Sequence, residues 1–442
     1  MAKFSPISGF PEWTPGQKML EQELMAKIAA EFELAGFAPI ETRAVEPLSV
    51  LTNKGDDKEI YLLNRLHDNA DQPKEKSKEK EQLGLHFDLT VPFARYVVEH
   101  QHLLSFPFKR YQIQKVWRGE RPQEGRFREF YQCDIDMVGA ETLDVSADAE
   151  MAGVMLKVMR KLPLPQAILR INNRKVLQGF YQGLGIDRLT DTLRIVDKLA
   201  KIGPEAVADL LKEELGIDDK AVELILSLAK LQGGAEVIEQ AKALGVEHEL
   251  MTEGLEELSQ VLALTEHLGG IEVDFSIARG LDYYTGTVYE TTLVGHEHIG
   301  AVCSGGRYDN LAAGGKVPYP GVGISLGITR LLGYMFGRKL IEVETQSPTQ
   351  VMILLNDAES RVKSFEVAER LRARGISADV YHTTQNFGKQ LKGIQKRAIP
   401  YALFIEEDGY AVKELATGEQ SKIDLDTWQP APRERVQYKC NF

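Results

Sequence analysis

The sequence has few cysteines and no long apolar run. Its 442 residues include three cysteines, Cys133, Cys303 and Cys440, which lie far apart and form no CxxC pair. A disulfide framework or a structural zinc site is therefore not expected, and a reducing cytoplasm fits. No stretch of about 18 apolar residues could form a transmembrane helix, and residues 1–13 do not resemble a secretory signal. We therefore predict a cytoplasmic protein with no membrane partner.

An excess of positive charge is also lacking. Lys and Arg number 53 against 65 Asp and Glu, which gives a net charge of −12. This balance opposes binding of phosphate-rich partners over the whole surface. The charge is uneven, because residues 348–442 carry 14 basic and 13 acidic residues and the rest of the chain holds the acidic excess. Any nucleic-acid contact must therefore come from local basic patches.

The common nucleotide-binding and hydrolytic motifs are absent as well. The sequence contains no GxxxxGK[ST] phosphate loop and no HExxH pair. Gly321-Val322-Gly323 is too short a match to indicate a dinucleotide loop, and glycine packing is the better interpretation. A nucleotide site in this chain would have to be built from other residues.

The first part of the chain is predicted to be β-rich. The length suggests two or three domains, and the 43% hydrophobic content is that of a globular protein. Apolar residues from Leu20 to Phe32 recur every four positions and predict a helix that ends near Gly36. Alternating runs at 111–117 and 130–138, separated by a polar loop, predict a long antiparallel hairpin. Residues 67–82 are predicted to be a solvated loop or the tip of a hairpin.

Two later segments have a different character. Residues 170–268 show short helical periods and almost no strand signal, which predicts a helical insertion in the β-rich domain. Strands are expected again at 272–294. After a linker at Ser347-Pro348, strands alternate with helices, with helices expected at 360–374 and 388–398. This alternation predicts a small α/β domain with a mostly parallel sheet.

Charged and polar side chains occur within the predicted strands. Gln132, Asp134 and Asp136 alternate and therefore share one face. Taken alone, they fit an exposed hairpin face with cross-strand ion pairs. In residues 278–290, Arg279 and Asp282 precede adjacent tyrosines, which taken alone fit a core tyrosine pair.

A third glycine-rich stretch begins with SGGRYDNL at 304–311 and includes Arg307, while Arg330 follows it. Taken alone, this stretch fits turns with exposed arginines. One shared site is simpler than three unrelated features. Arg118, Arg279 and Arg330 can converge on a triphosphate without a phosphate loop, because guanidinium groups bind phosphate oxygens bidentately.

These residues carry a family resemblance that covers essentially the whole chain. AGFAPIETRAVEP, LHFDLTVPFARYV with KVWRGERPQEGRFREFYQCDIDMVG, and GVGISLGITRLL resemble motifs 1, 2 and 3 of class II aminoacyl-tRNA synthetases. RGLDYYTG at 279–286 and SGGRYD at 304–309 resemble the signatures specific to histidyl-tRNA synthetases. A chance match to both signatures, in order and between motifs 2 and 3, is negligible.

The resemblance implies roles for individual residues. Arg118, Arg279 and Arg330 are implied as the catalytic arginines. The histidine-binding residues implied are Asp88, Thr90, Arg118, Gln132, Asp136, Arg279, Tyr283 and Tyr284. The ATP-binding residues implied are Arg118, Glu120, Arg126, Phe130 and Arg330. Two positions depart from the family pattern: Gly9-Phe10-Pro11-Glu12 replaces a Gly-Thr-Arg-Asp stretch, and Thr329 stands where an acid often precedes the motif 3 arginine.

The expected fold is therefore α+β. It combines an antiparallel-sheet class II catalytic core (1–342), a helical insertion (170–268) and a C-terminal anticodon-binding α/β domain (348–442). The expected activity is ATP-dependent ligation of L-histidine to tRNA(His) through a histidyl-adenylate, with Mg²⁺, by a cytoplasmic homodimer.

Two rival functions remain open at this point. One is the inactive regulatory subunit of ATP phosphoribosyltransferase, which usually lacks both the RGLDYYTG residues and the anticodon domain. The other is a class II synthetase for proline or threonine, against which the two histidine signatures argue.

Overall fold

The computed structural model describes residues 5–52, 59–64, 82–278, 284–310 and 317–442. The chain divides into two compact units, one made of Met1–Pro11 and Leu24–Tyr334 and the other of Glu12–Glu23 and Met335–Phe442. Among the described residues, no helix has both the length and the apolar character needed to span a bilayer.

The regular elements of these residues follow one another along the chain. The helices are α1 (Pro15–Leu34), α2 (Leu48–Leu51), α3 (Thr90–His100), α4 (Ser146–Lys161), α5 (Arg174–Gly183), α6 (Leu189–Val196), α7 (Leu199–Leu215), α8 (Asp219–Ala229), α9 (Glu236–Lys242), α10 (Glu249–Thr265), α11 (Ile328–Gly337), α12 (Arg361–Ala373) and α13 (Phe387–Lys396). The strands are β1 (Ala38–Pro39), β2 (Val45–Pro47), β3 (Leu62–Leu63), β4 (Leu83–Leu85), β5 (Phe108–Trp117), β6 (Glu129–Val138), β7 (Ala167–Asn173), β8 (Gln232–Gly233), β9 (Ile271–Asp274), β10 (Thr287–Leu293), β11 (Cys303–Tyr308), β12 (Gly321–Leu326), β13 (Ile341–Val343), β14 (Val351–Ile353), β15 (Ala378–Val380), β16 (Tyr401–Glu406), β17 (Gly409–Glu414), β18 (Gln420–Ile423) and β19 (Tyr438–Cys440).

A nine-stranded sheet forms the centre of the first unit. Its strand order is β1-β5-β6-β12-β11-β10-β7-β9-β8. The run from β5 to β7 is antiparallel throughout, and parallel pairing occurs only towards the edges, between β1 and β5 and between β7 and β9. The predicted α+β fold with an antiparallel catalytic-core sheet is therefore confirmed.

The predicted hairpin is confirmed as the pair β5 and β6. Its register runs from Phe108 opposite Val138 to Trp117 opposite Glu129, and the polar loop joins the two strands. Because side chains alternate between the faces of a strand, the register places Arg110 and Asp136 directly opposite each other on one face. This pairing shapes the site described below.

The predicted helical segment is largely helical in the structure. Its expected first residue, 170, lies inside β7, so the helices begin four residues later at Arg174. Helix α10 packs closely on α5 at Gly179. A Cβ there would lie only 2.3 Å from the backbone nitrogen of Met251. Helices α5 and α10 therefore pack as a pair, which the helical periodicity alone did not reveal.

The second unit contains a five-stranded sheet in the order β15-β14-β16-β17-β18. The two pairings of β14 are parallel, whereas the β16–β17 and β17–β18 pairings are antiparallel. The prediction of a mostly parallel sheet was therefore wrong for half of the pairings. The reason is a tight turn at Glu407-Asp408, where Gly409 adopts φ +145° and returns the chain directly as a hairpin.

Candidate active site

Two adjoining cavities lie against the sheet of the first unit. The larger, of about 250 Å³, is lined by Arg118, Glu120, Gly125, Arg126, Phe127, Phe130, Gln132, Ala301, Val302, Ser304, Ser325, Gly327 and Arg330. The smaller, of about 30 Å³, is lined by Thr90, Asp134, Asp136, Tyr284, Ser304, Gly305, Tyr308, Gly323, Ile324 and Ser325. Ser304 and Ser325 line both cavities, so the two form one continuous site.

Arginines dominate the larger cavity. Arg118 follows β5, and its Nε donates a hydrogen bond to the carbonyl oxygen of Phe87 at 3.0 Å. Its guanidinium lies 5.2 Å from the ring centroid of Phe130, a cation–π distance. Glu120 lies between two guanidinium groups, 3.9 Å from Arg118 and 3.6 Å from Arg126. The cavity is thus suited to a polyanion with a flat ring.

Arg330 reaches the same cavity from the first turn of α11. Its Nη2 donates a hydrogen bond to the carbonyl oxygen of Ile299, which fixes the direction of the side chain. The preceding residue, Thr329, is buried, and its hydroxyl accepts the backbone N–H of Tyr131 at 2.9 Å. Thr329, which stands where relatives often have an acid, therefore links α11 to β6.

Asp136 lies at the centre of the smaller cavity's wall. Its Oδ2 is 2.6 Å from Nη2 of Arg110, and its Oδ1 accepts the hydroxyl of Tyr308 at 2.6 Å. Arg110 and Asp136 are both buried. The alternating polar face is thus not the exposed hairpin face that the pattern alone allowed. Gly323 lies directly opposite, and a Cβ there would be 2.1 Å from Asp136 Oδ1.

The other predicted histidine-binding residues have different positions. Thr90 and Tyr284 line the smaller cavity, and a Cβ on Gly306 would lie 2.7 Å from the Tyr284 ring. Asp88 lines neither cavity, and its Oδ1 accepts the backbone N–H of Val91 at 3.0 Å. Arg279 and Tyr283 lie outside the described residues.

Asp134 is the second carboxylate of the smaller cavity. It is buried, and burial raises its pKa to about 7, while nearby Asp136 and Asp88 act in the same direction. Arg110 and a hydrogen bond from Ser325 oppose this rise. The carboxyl is therefore close to half-protonated at neutral pH.

Arg307 does not belong to either cavity. Its Nε donates to Asp148 Oδ2 at 3.1 Å and its Nη1 to the carbonyl oxygen of Leu143 at 3.0 Å. Arg307 and Asp148 are both buried. The interpretation of the SGGRYDNL stretch as turns with exposed arginines is therefore wrong for Arg307, which joins β11 to the start of α4.

Sequence reasoning assigned no role to Arg110, Tyr308, Ser304 or Ser325. The signal for Arg110 was its place in an alternating strand whose register puts it opposite Asp136. The two serines gave no signal of their own, because they meet only through the pairing of β11 with β12, where Ser304 lies opposite Ser325.

Comparison with known proteins agrees with this geometry. The family model described as histidyl-tRNA synthetase matches residues 9–331, and a model described as an anticodon binding domain matches residues 350–429. The first match alone covers well over half of the chain. The chain belongs to the histidyl-tRNA synthetase family. The predicted family, activity and enzyme class, which is ligation of histidine to tRNA(His) by a class II aminoacyl-tRNA synthetase, are thereby confirmed.

Individual relatives of this family match over nearly the full length. The histidine–tRNA ligase of Cutibacterium acnes is 48% identical and that of Micrococcus luteus 46% identical, each with 97% of both chains covered. The crystal structure of histidyl-tRNA synthetase from Nostoc sp. PCC 7120 superposes with a TM-score of 0.85 at 37% identity, covering 96% of this chain and 98% of that one.

A more distant structure shares the fold. The Bacillus halodurans C protein described as an ATP phosphoribosyltransferase regulatory subunit/histidyl-tRNA synthetase superposes with a TM-score of 0.72 at 20% identity and covers 88% of this chain and 96% of its own. At that identity the likeness concerns the fold alone. The full-length relatives are histidine–tRNA ligases by name, which disfavours the regulatory alternative.

Proposed function

We propose that the two adjoining cavities are the adenylation site of this synthetase, with ATP in the larger and L-histidine in the smaller. The observation that carries this proposal is their arrangement. Three guanidinium groups line the larger cavity, two carboxylates and two tyrosines line the smaller, and two serines line both. The substrate carboxylate and the α-phosphate then meet where the cavities join.

The arginines divide the charge of ATP between them. Arg118 contacts the histidine carboxylate and the α-phosphate, and Arg330 holds the γ-phosphate end. Phe130 packs against the adenine, with Glu120 and Arg126 around the adenine and triphosphate. Guanidinium groups suit this task because they stay charged and bind phosphate oxygens bidentately. Arg279 is assigned to the α-phosphate by the resemblance.

Histidine is held at both of its ends. Asp88, Thr90 and Gln132 hold the α-ammonium end. Asp136 and Tyr284 bind the imidazole, and the resemblance places Tyr283 beside them. An analogue without a ring N–H cannot donate to the buried Asp136 carboxylate, and a site built to hydrogen-bond its substrate can reject such analogues by about 10⁴–10⁵. No editing step is then required.

The chemistry needs positioning and charge stabilisation. The histidine carboxylate is ionised at neutral pH, so one of its oxygens attacks the α-phosphorus without a general base. Pyrophosphate leaves, and arginines at the site stabilise the charge of the pentacoordinate centre. In the second step a terminal ribose hydroxyl of tRNA attacks the histidyl carbonyl carbon, and AMP leaves.

The residues of the larger cavity fit Mg²⁺ bound mainly through phosphate. Among the described residues, no group of three or more His, Cys, Asp or Glu side chains could enclose a metal ion. Mg²⁺ commonly uses one or two carboxylates together with substrate phosphates, and Glu120 offers a carboxylate at this cavity. The ion would neutralise phosphate charge there.

The remaining segments are assigned to tRNA binding and assembly. Residues 1–342 form the catalytic domain, 170–268 cover the tRNA acceptor end, and 348–442 bind the anticodon. Motif 1 builds the interface of a homodimer that functions in the cytoplasm. Helix α13 and the residue that follows it offer exposed cations for the tRNA backbone: Lys389, Lys392, Lys396 and Arg397.

ATP–pyrophosphate exchange with each of the twenty amino acids tests the proposal. We expect exchange with histidine alone, and Arg330→Ala should reduce it sharply while Arg338→Ala, a few residues further along the chain, leaves it unchanged. If no exchange occurs with histidine, the proposal is contradicted and the regulatory function is favoured instead. Exchange with proline or threonine would contradict the assignment of the smaller cavity.

A further inference from the structure

Asp134 carries a buried carboxylate that the roles above leave unused. Its side chain is 2% exposed and lines the smaller cavity. Its Oδ1 makes no hydrogen bond to the part of the chain that the structure describes. Gln132 Nε2 donates to Ser325 Oγ at 2.5 Å, which directs the serine hydroxyl proton to Asp134. One carboxylate oxygen is thus held in place and the other is open.

Among the described residues, the surroundings of Asp134 contain more negative than positive groups. β12 contributes the neutral Ser325, and burial keeps the pKa of the Cys303 thiol on β11 well above its usual range. Tyr284 and Tyr308 contribute neutral phenols to the cavity. Within the part of the chain that the structure describes, the ionic side chains that act on Asp134 are Arg110 on β5, Asp136 on β6 and Asp88 before α3.

The single guanidinium of this group is already engaged. Arg110 pairs with Asp136, and within the described residues no ion pair joins Asp134 to a cation. A buried carboxylate without a counter-charge is costly, and a pKa of about 7 for Asp134 reflects that cost. The pocket therefore favours a ligand that brings positive charge.

We propose that the pocket binds histidine with its ring as the doubly protonated imidazolium, and that Asp134 Oδ1 accepts one of the two ring N–H groups. This inference rests on the histidine site proposed above. The second ring N–H pairs with Asp136, so Tyr284 contacts the ring without taking a ring N–H. The α-ammonium group lies towards Thr90, on the side of Asp88. Arg110 balances one of the three carboxylates, and the two cationic groups of the substrate balance the other two.

A neutral ring fits this pocket less well. Neutral imidazole has one N–H donor and one acceptor nitrogen, whereas the imidazolium has two donors. At pH 8 Asp134, with a pKa of about 7, is mostly ionised, so the acceptor nitrogen of a neutral ring would face a carboxylate lone pair there. Asp134 is therefore a specificity-determining residue that selects the charge state of the ring as well as its shape.

Proton uptake on binding provides the test. At pH 8 the free histidine ring is neutral, since its pKa is about 6.5, so wild-type protein should take up about one proton per histidine bound. Calorimetry in two buffers of different ionisation enthalpy measures this uptake. Asp134→Asn should abolish the uptake and weaken histidine binding about 5- to 30-fold. The control is Asp426→Asn, which removes an exposed carboxylate of the second unit and should behave as wild type.

Nitrogen NMR of ring-labelled histidine bound to wild-type protein at pH 8 decides the protonation state directly. Two protonated ring nitrogens support the proposal. One unprotonated nitrogen overturns it, whether or not a proton is taken up, since Asp134 would then carry that proton. This measurement stands even if Asp134→Asn fails to fold. Lack of histidine binding by wild-type protein contradicts the proposed site itself, whereas binding without proton uptake overturns the imidazolium inference alone.

Discussion

Arg110 and Asp136 form a buried ion pair across the hairpin of β5 and β6, with Arg110 Nη2 2.6 Å from Asp136 Oδ2. The guanidinium also lies 4.3 Å from the ring centroid of Phe93. The carboxylate that is proposed to bind the imidazole is thus also the counter-ion of a buried arginine. Substrate recognition and fold stability therefore depend on the same side chain.

Asp136→Asn should affect both properties. Loss of the charge removes a charge-assisted hydrogen bond to the ring and should weaken histidine binding about 5- to 30-fold. It also leaves Arg110 without its counter-ion, and breaking a buried pair costs about 3–5 kcal/mol. Calorimetry with histidine and with ATP, together with thermal unfolding, measures the two effects. ATP binding should not change. A variant that melts early yet binds histidine normally would show that Asp136 acts only in the fold.

The stability of the ligand-free protein should depend on Asp134. Burial holds the pKa of the folded-state Asp134 carboxyl at about 7, above the ordinary value of about 3.9. Its contribution to the stability of the folded state is therefore fully present below about pH 4 and is lost as pH rises through 7. This difference corresponds to about 4 kcal/mol. Asp134→Asn should therefore unfold like wild type at pH 4 and be more stable at pH 8. Denaturant unfolding at both pH values checks this, and equal stabilities at pH 8 would contradict it.

Gly323→Ala should disrupt the smaller cavity. The added Cβ would lie 2.1 Å from Asp136 Oδ1, so the carboxylate must move or the strands must separate. We expect a loss of about 1–3 kcal/mol in unfolding free energy, typical of overpacking, and weaker histidine binding. Gly337→Ala is the matched control, because no other group lies within 4 Å of its added Cβ. Unchanged histidine affinity in Gly323→Ala would show that this glycine does not shape the histidine site.

Arg279→Ala should slow adenylate formation far more than it weakens histidine binding. The expectation comes from the family resemblance of this arginine, which lies outside the described residues. Loss of one donor aimed at developing charge typically costs about 10²–10³ in rate. Single-turnover adenylation measures the effect, and a rate within threefold of wild type would refute the catalytic role.

Removal of charge from α13 should weaken tRNA binding. Lys389, Lys392 and Lys396 are three and four residues apart and exposed on one helix. Their joint replacement by Gln should reduce tRNA affinity and flatten its dependence on salt, while ATP–pyrophosphate exchange remains. Lys422→Gln, which removes an exposed lysine paired with Asp408, is the control. If the dependence of tRNA affinity on salt does not change, α13 is only exposed to solvent and does not contact the tRNA.

The sequence alone determined the family, the antiparallel hairpin and the identity of most candidate site residues. Periodicity reveals a strand or a helix because it is a local property, and the RGLDYYTG and SGGRYD signatures are contiguous. The Gln132–Asp134–Asp136 alternation likewise fixed which side chains share a face. It did not establish whether that face is exposed or buried.

Only the tertiary structure decided the burial and partners of these residues. Arg110, Tyr308 and Gly323 approach Asp136 from three different strands, and strand register is set by pairing over long sequence separations. The antiparallel pairing of β17 with β16 likewise depended on the two-residue turn between these strands. Charge balance around Asp134 is a property of the assembled sheet, because burial removes the water that would otherwise compensate each carboxylate.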